Sequence, residues 1–135
     1  MSENTTTYKK HSVEYVDIPL ASGVLSIGVG DNISYNAAGF GKVTTDTAGE
    51  KFAGVSTQAV ELSAAGNPAN GTYFLRVIVP RSVNVVKRNI AATRAAALPG
   101  TKVYAKSAKE FALAGNVDGG EIFEFISTTE CWVKI

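Results

Sequence analysis

The sequence offers one histidine, His11, and one cysteine, Cys131, of the side chains that most readily bind metals or act as nucleophile and base. A structural zinc site needs four ligands, and a Ser-His-Asp relay needs a buried base. His11 stands in the polar run Lys9-Lys10-His11-Ser12 and suits neither role. Serines and lysines are frequent, yet no G-x-S-x-G elbow occurs, which leaves a Ser-Lys dyad as the remaining nucleophilic option. Asp17, Asp31, Asp46, Glu50, Glu110, Asp118, Glu121, Glu124 and Glu130 are scattered, mostly beside Gly or Lys as solvated turn residues are. A working acid–base pair would have to be assembled from them by the fold. Gly28-Val29-Gly30 has the opening of a phosphate loop, but the chain runs on into Ile33 and Tyr35 instead of a helix. The expectation is a protein that is not an enzyme and holds no cofactor and no metal.

Charge is distributed more tellingly. Arg76, Arg81, Lys87, Arg88 and Arg94 fall in a span with no acid between Glu61 and Glu110. Such a cluster either docks on an acidic partner or forms a solvated rim. The absence of interleaved aromatics argues against base stacking. The formal net charge of +1 supplies no global field that would draw in nucleic acid or an anionic membrane. No run of 18 apolar residues spans a bilayer. MSENTTTYKK has no apolar signal core. Synthesis in a host cytoplasm is expected, with Cys131 a small hydrophobe in the last strand.

The elements that must carry these residues read as strands. Thr72 to Val79 alternates Tyr73, Leu75, Val77 and Val79 against Phe74, Arg76 and Ile78, and both faces are rich enough in apolar residues to predict a central strand covered on both sides. Val13 to Ile18, Leu25 to Val29, Phe52 to Leu62, Val83 to Val86 and Cys131 to Ile135 are further strands. The phase slip in the first predicts a bulge. Residues 63–71, SAAGNPANG, are a loop. Asn89 to Leu98 is the one helix expected, with Asn89 as N-cap and Pro99-Gly100 as stop.

A repeat organises the chain. Residues 30–57 read GDNISYNAAGFGKVTTDTAGEKFAGVST and residues 100–128 read GTKVYAKSAKEFALAGNVDGGEIFEFIST. Gly30 falls on Gly100 and Ile33 on Val103. With one more residue in the second copy, Phe40 falls on Phe111, Gly49 on Gly120, Glu50 on Glu121, Phe52 on Phe123 and Val55 on Ile126. The copies are expected to be similar hairpin units that bury their Phe residues against one another, with Phe52 and Phe123 both in the core. The fold class is therefore mainly β, a small barrel or sandwich (β-tulip-like), with the short helix and an extended N-terminal arm. Residues 1–12 form the arm, and 13–135 a single β domain holding the repeat.

The arm carries Thr5-Thr6-Thr7, then Tyr8, Lys9, Lys10 and His11. It has too little apolar surface to offset its own ordering, so a partner is expected to hold it. Tyr8 is the expected anchor, with Lys9 and Lys10 facing acidic groups.

Four short stretches resemble the small capsid decoration, or cement, proteins of tailed bacteriophages. They are Gly30-Asp31-Asn32-Ile33-Ser34-Tyr35, Gly41-Lys42-Val43-Thr44, Phe52-Ala53-Gly54-Val55-Ser56, and Pro99-Gly100-Thr101-Lys102-Val103-Tyr104 after an Ala-rich run. The resemblance covers about residues 22–135. It implies a non-enzymatic virion protein on the outer head surface that clamps major capsid protein subunits, often as a homotrimer, without nucleic acid or membrane. Tyr8, Lys9, Lys10, His11, Arg81, Lys87 and Arg88 are the expected capsid- or subunit-binding residues. A tail or fibre β module that binds a receptor or glycan is the alternative. The long arm and the fuller hairpin over residues 61–89 depart from the family pattern.

Overall fold

A computed structural model describes residues 14–80, 85–90 and 98–135. Among these residues every regular element is a strand: β1 (Tyr15–Pro19), β2 (Ser26–Ile27), β3 (Asn32–Tyr35), β4 (Gly41–Val43), β5 (Lys51–Ser56), β6 (Val60–Glu61), β7 (Phe74–Ile78), β8 (Val85–Asn89), β9 (Lys102–Ser107), β10 (Glu110–Ala112), β11 (Asp118–Phe125) and β12 (Glu130–Lys134). The mainly β expectation holds. Asn89 ends β8 and does not cap a helix; residues 91–97, where the rest of the expected helix falls, lie outside the described residues. β1 pairs with β7 from Tyr15 to Pro19 without a register shift, so the bulge expected there is absent.

The strands form two units of the same design. The first is a five-stranded sheet in the order β1-β7-β5-β3-β4, whose ends meet at a parallel bridge between Leu20 and Gly41. The second is a closed barrel in the order β8-β12-β11-β9-β10, shut by a parallel pairing of Asn89 with Glu110. Position by position the orders are the same, so the repeat extends well beyond the hairpins legible in the sequence. Each unit is called a barrel below. The first barrel carries an insertion between β5 and β7, which pairs β6 with β2. Buried Asn67 pins the following loop by donating from Nδ2 to the carbonyls of Leu20 (3.0 Å) and Ala21 (2.8 Å).

The backbone bonds establish the equivalence. Gly30 N–H donates to Ser56 O at 2.8 Å, and Gly100 N–H donates to Ile122 O at 2.7 Å. Both glycines have positive φ, 83° and 94°, where a Cβ is costly. A Cβ on Gly54 would sit 2.0 Å from Ile78 O, and one on Gly120 would sit 2.0 Å from Lys134 O. Gly120 is thus the counterpart of Gly54, not of Gly49. The sequence alignment slips here, and Phe52 corresponds to Asp118 instead of Phe123. A register shift between Ile122 and Glu124 sends Ile122 inward, while Phe123 is 56% exposed. The expectation of a buried Phe123 is overturned.

Each barrel has its own core. Ile18, Leu20, Ile27, Ile33, Ala53, Leu75 and Val77 fill the first; Ile90, Val103, Ala105, Phe111, Val117, Ile122, Cys131, Val133 and Ile135 fill the second. Leu75, Val77 and Val79 match Cys131, Val133 and Ile135 in burial and strand position. β7 is covered along the whole of this inner face, while its outer face is covered only at Ile78. Phe74 and Arg76 on its outer face are exposed, contrary to the expectation of a strand buried on both sides.

Candidate binding surfaces

The barrels meet along a seam where the outer face of the first packs against the core of the second. On β5 and β7 the outward residues Val55, Phe52 and Ile78 pack against the core of the second barrel. The Phe52 ring meets Phe111 edge to face, with centroids 5.9 Å apart and planes at 84°, so the copies pack their Phe residues together as expected. Asn116 donates to Asp46 from its backbone N–H at 2.8 Å and from Nδ2 at 3.1 Å.

The polar heart of the seam is Arg88. Alternation on β8 points it inward at the place where Ile18 sits in the first barrel, and it is 4% exposed. Its Nε and Nη2 donate to Asn32 Oδ1 at 2.9 and 2.8 Å, Nη2 also to Gly30 O at 2.6 Å, and Nη1 to Lys87 O at 3.0 Å. Asn32, wholly buried, donates from Nδ2 to Ser107 O at 2.9 Å. Lys109 makes an ion pair with Asp31 across the same seam. Burial pulls Arg88 down to about 10, with nearby Asp31 opposing the shift, so it stays charged at neutral pH. Arg88 is therefore an internal clamp and no part of a free docking surface.

The remaining members of the expected basic cluster separate. Arg76 is exposed and forked onto Asp17, with Nε to Oδ1 at 3.0 Å and Nη2 to Oδ2 at 3.2 Å. That bond, with the guanidinium charge, holds Asp17 below the usual carboxylate range. Lys87 lies exposed on β8. Arg81, Arg94, and the arm residues Tyr8, Lys9, Lys10 and His11 lie outside the described residues.

Two outer sheet faces and one cleft remain. On the first barrel Tyr15 and Phe74 are 56% and 60% exposed, on either side of the self-neutralised Asp17–Arg76 pair. On the second barrel Trp132 is 40% exposed at the place of Arg76, with Phe123 and Val85 exposed on the flanking strands and Ile126 exposed just past β11. These aromatics left no signal in the strand pattern, because alternation alone does not tell an outer face from a covered one. The cleft, about 720 Å³, lies between Ala21–Ser26 and β4 and is lined by Val24, Leu25, Val43, Lys42, Thr45 and Glu50. Its polar groups satisfy each other: Lys42 pairs with Glu50, and Thr45 donates to Glu50 from Oγ1 at 2.6 Å and from N–H at 3.1 Å. Among the described residues no group of three His, Cys, Asp or Glu side chains converges to hold a metal. No helix of the described residues is long and apolar enough to cross a membrane.

No family model, curated protein or solved structure matches the chain.

Proposed function

We propose that this protein is a structural component of a phage virion, which binds the outer surface of the head and stabilises it by bridging major capsid protein subunits. The observation that carries this reading is the outer face of the first barrel. Tyr15 and Phe74 stand out of the sheet on either side of the Asp17–Arg76 pair, whose charges are already satisfied. Large aromatics in a neutral setting are the usual anchors of protein contacts, because they bury much area and leave no charge to strip of water. β1 begins two residues past the arm, so the arm and this face can engage one partner together. Two barrels held rigidly by a buried seam suit a bridging role, since a bridge must transmit force between its ends. The resemblance to decoration proteins supplies the partner class.

The test is occupancy on particles. Heads prepared without the protein are mixed with wild type, with Tyr15→Ala/Phe74→Ala, or with a chain lacking residues 1–12, and then pelleted and heated. Wild type is expected to pellet with heads and raise their disruption temperature. Each variant is expected to lose occupancy at least about tenfold, the effect of removing one interface anchor. Binding to tails in place of heads would favour the receptor- or glycan-binding reading, and binding to neither would end both.

A further inference from the structure

The two barrels are closed differently at the end where β1 and β5, and their counterparts β8 and β11, begin. In the second barrel this mouth is filled. Phe111 is buried there, and Gly119 leaves it room, since a Cβ on Gly119 would lie 2.5 Å from Phe111 Cε2. Phe52 of the first barrel lies against that ring. The counterpart of Phe111 is Gly41, because Phe111 pairs with Ala105 on β9 and Gly41 with Tyr35 at the same place on β3. A side chain has no room at Gly41, where a Cβ would lie 2.7 Å from Ile18 Cδ1. Tyr35 fills part of the space. A cavity of about 250 Å³ remains, lined by Val16, Tyr35, Phe52, Ala53, Val79 and Pro80. Val16 shows the consequence. It alternates with outward Tyr15 and Asp17 and so faces inward, yet it is 39% exposed. Among the described residues none covers this mouth.

We infer that Tyr8 of the chain's own arm seats in the mouth of the first barrel. The arm departs from its rim: Glu14 O accepts a bond from Val79 N–H at 3.0 Å, and Val79 lines the mouth. Of residues 1–13 only Met1, Tyr8 and Val13 are hydrophobic, and Tyr8 is the one aromatic. By alternation Val13 is in phase with outward Tyr15. The link from Tyr8 to Glu14 spans up to roughly 20 Å when extended, at about 3.3 Å per residue. Five strands about 4.8 Å apart enclose a mouth only about 10 Å across, so the link reaches its centre with length to spare for a bend. Ser12 lies in that link and favours turning. An aromatic with one polar end suits an opening, with the ring inside and the hydroxyl in water. Seated there, Tyr8 adjoins Phe52, which already meets Phe111, and extends the seam to a row of three rings. Tyr8 thus does for the first barrel what Phe52 does for the second, and Lys9, Lys10 and His11 stay in the solvated link. The holder of the arm is the chain's own barrel in place of an outside partner. This seat does not depend on the capsid reading. It orders the arm before any partner is met, which lowers the cost of a later contact.

Isotope-labelled full-length protein is measured by NMR. The expected result is nuclear Overhauser contacts from the Tyr8 ring to the methyl groups of Val16 and Val79, in dilute and concentrated protein alike. A mixture of labelled and unlabelled chains is expected to show none of these contacts between copies. The second readout is amide exchange at Val79, whose N–H bonds Glu14 O beside the seat. Tyr8→Ala is expected to speed that exchange about tenfold or more, because the strand end loses the ring that covers it. Tyr8→Phe is expected to keep the wild-type rate, since the ring does the filling. A Tyr8 ring without contacts to Val16 and Val79, contacts that run between copies, contacts to those methyl groups from Val83 in place of Tyr8, or a Val79 amide indifferent to Tyr8→Ala would each overturn the inference. The wild-type contacts need no variant to fold.

Discussion

The two barrels share a strand order and a pair of glycine-dependent crossings, yet they differ where each faces outward. Phe52, Val55 and Ile78 of the first barrel are apolar and lie against its neighbour. Their counterparts in the second, Asp118, Glu121 and Lys134, are charged and exposed, and Asp118 is held by Lys102 at 3.1 Å. Inward the exchange runs the other way, with Ile18 in the first barrel and Arg88 in the second. A duplicated unit thus keeps the residues that close each barrel and changes those that decide what each barrel meets. An apolar outer face is stable only under a neighbour, and the same face left open requires charge to stay in water.

The shared glycines are the place where this comparison breaks most severely. Gly54→Ala and Gly120→Ala each drive a Cβ into a carbonyl oxygen of the adjacent strand. Each is expected to cost at least about 4 kcal/mol in denaturant unfolding, near the limit of what a domain this size tolerates. Gly54→Ala is expected to be the worse, because its φ of 137° adds backbone strain. Gly49→Ala, at the position the sequence alignment set against Gly120, meets no atom within 4 Å and is expected to bear only the cost of its positive φ, about 1–2 kcal/mol.

The phenylalanines sharpen the point about register. Phe111→Ala empties a fully buried site and is expected to cost about 3–5 kcal/mol. Phe123→Ala is expected to change the unfolding free energy by less than about 0.5 kcal/mol, as exposed positions do. Equal effects would restore the register read from sequence.

Arg88→Ile tests the inward exchange. It places in the second barrel the residue type that the first uses there, but leaves Asn32 Oδ1 buried without its donor. A loss of about 1–3 kcal/mol is expected, the usual cost of orphaning one buried polar atom. A neutral outcome would mean that the clamp adds nothing beyond filling space.

The smallest effect is on pH. Burial raises the Cys131 thiol above its ordinary 9.0. Above that pH the unfolded chain releases a proton that the folded chain retains, so stability falls as pH rises past 9.0. Cys131→Ala, compared with wild type between pH 8 and about 10.5, should remove that part of the decline. In the folded protein at neutral pH the thiol should resist alkylation.

The amino-acid sequence by itself determined the β class, the turn at Gly30 and its copy at Gly100, and the alternation that sets Leu75, Val77 and Val79 on one face of their strand. Each is a local matter: a φ that favours glycine, or a two-residue period with one apolar face. It also showed that the chain repeats itself. Only the tertiary structure decided how far the repeat extends, because β1 and β8, and β7 and β12, are equivalent in position while their sequences answer to different neighbours. Only the fold could show that Arg88 is buried, since its partner Asn32 lies far away in sequence and the same β8 alternation would suit an exposed rim. The bulge beside Glu124 shifted Phe123 from core to surface for a similar reason. One extra residue in a strand reverses which side a chain faces, and nothing in the composition of that strand marks where the extra residue falls.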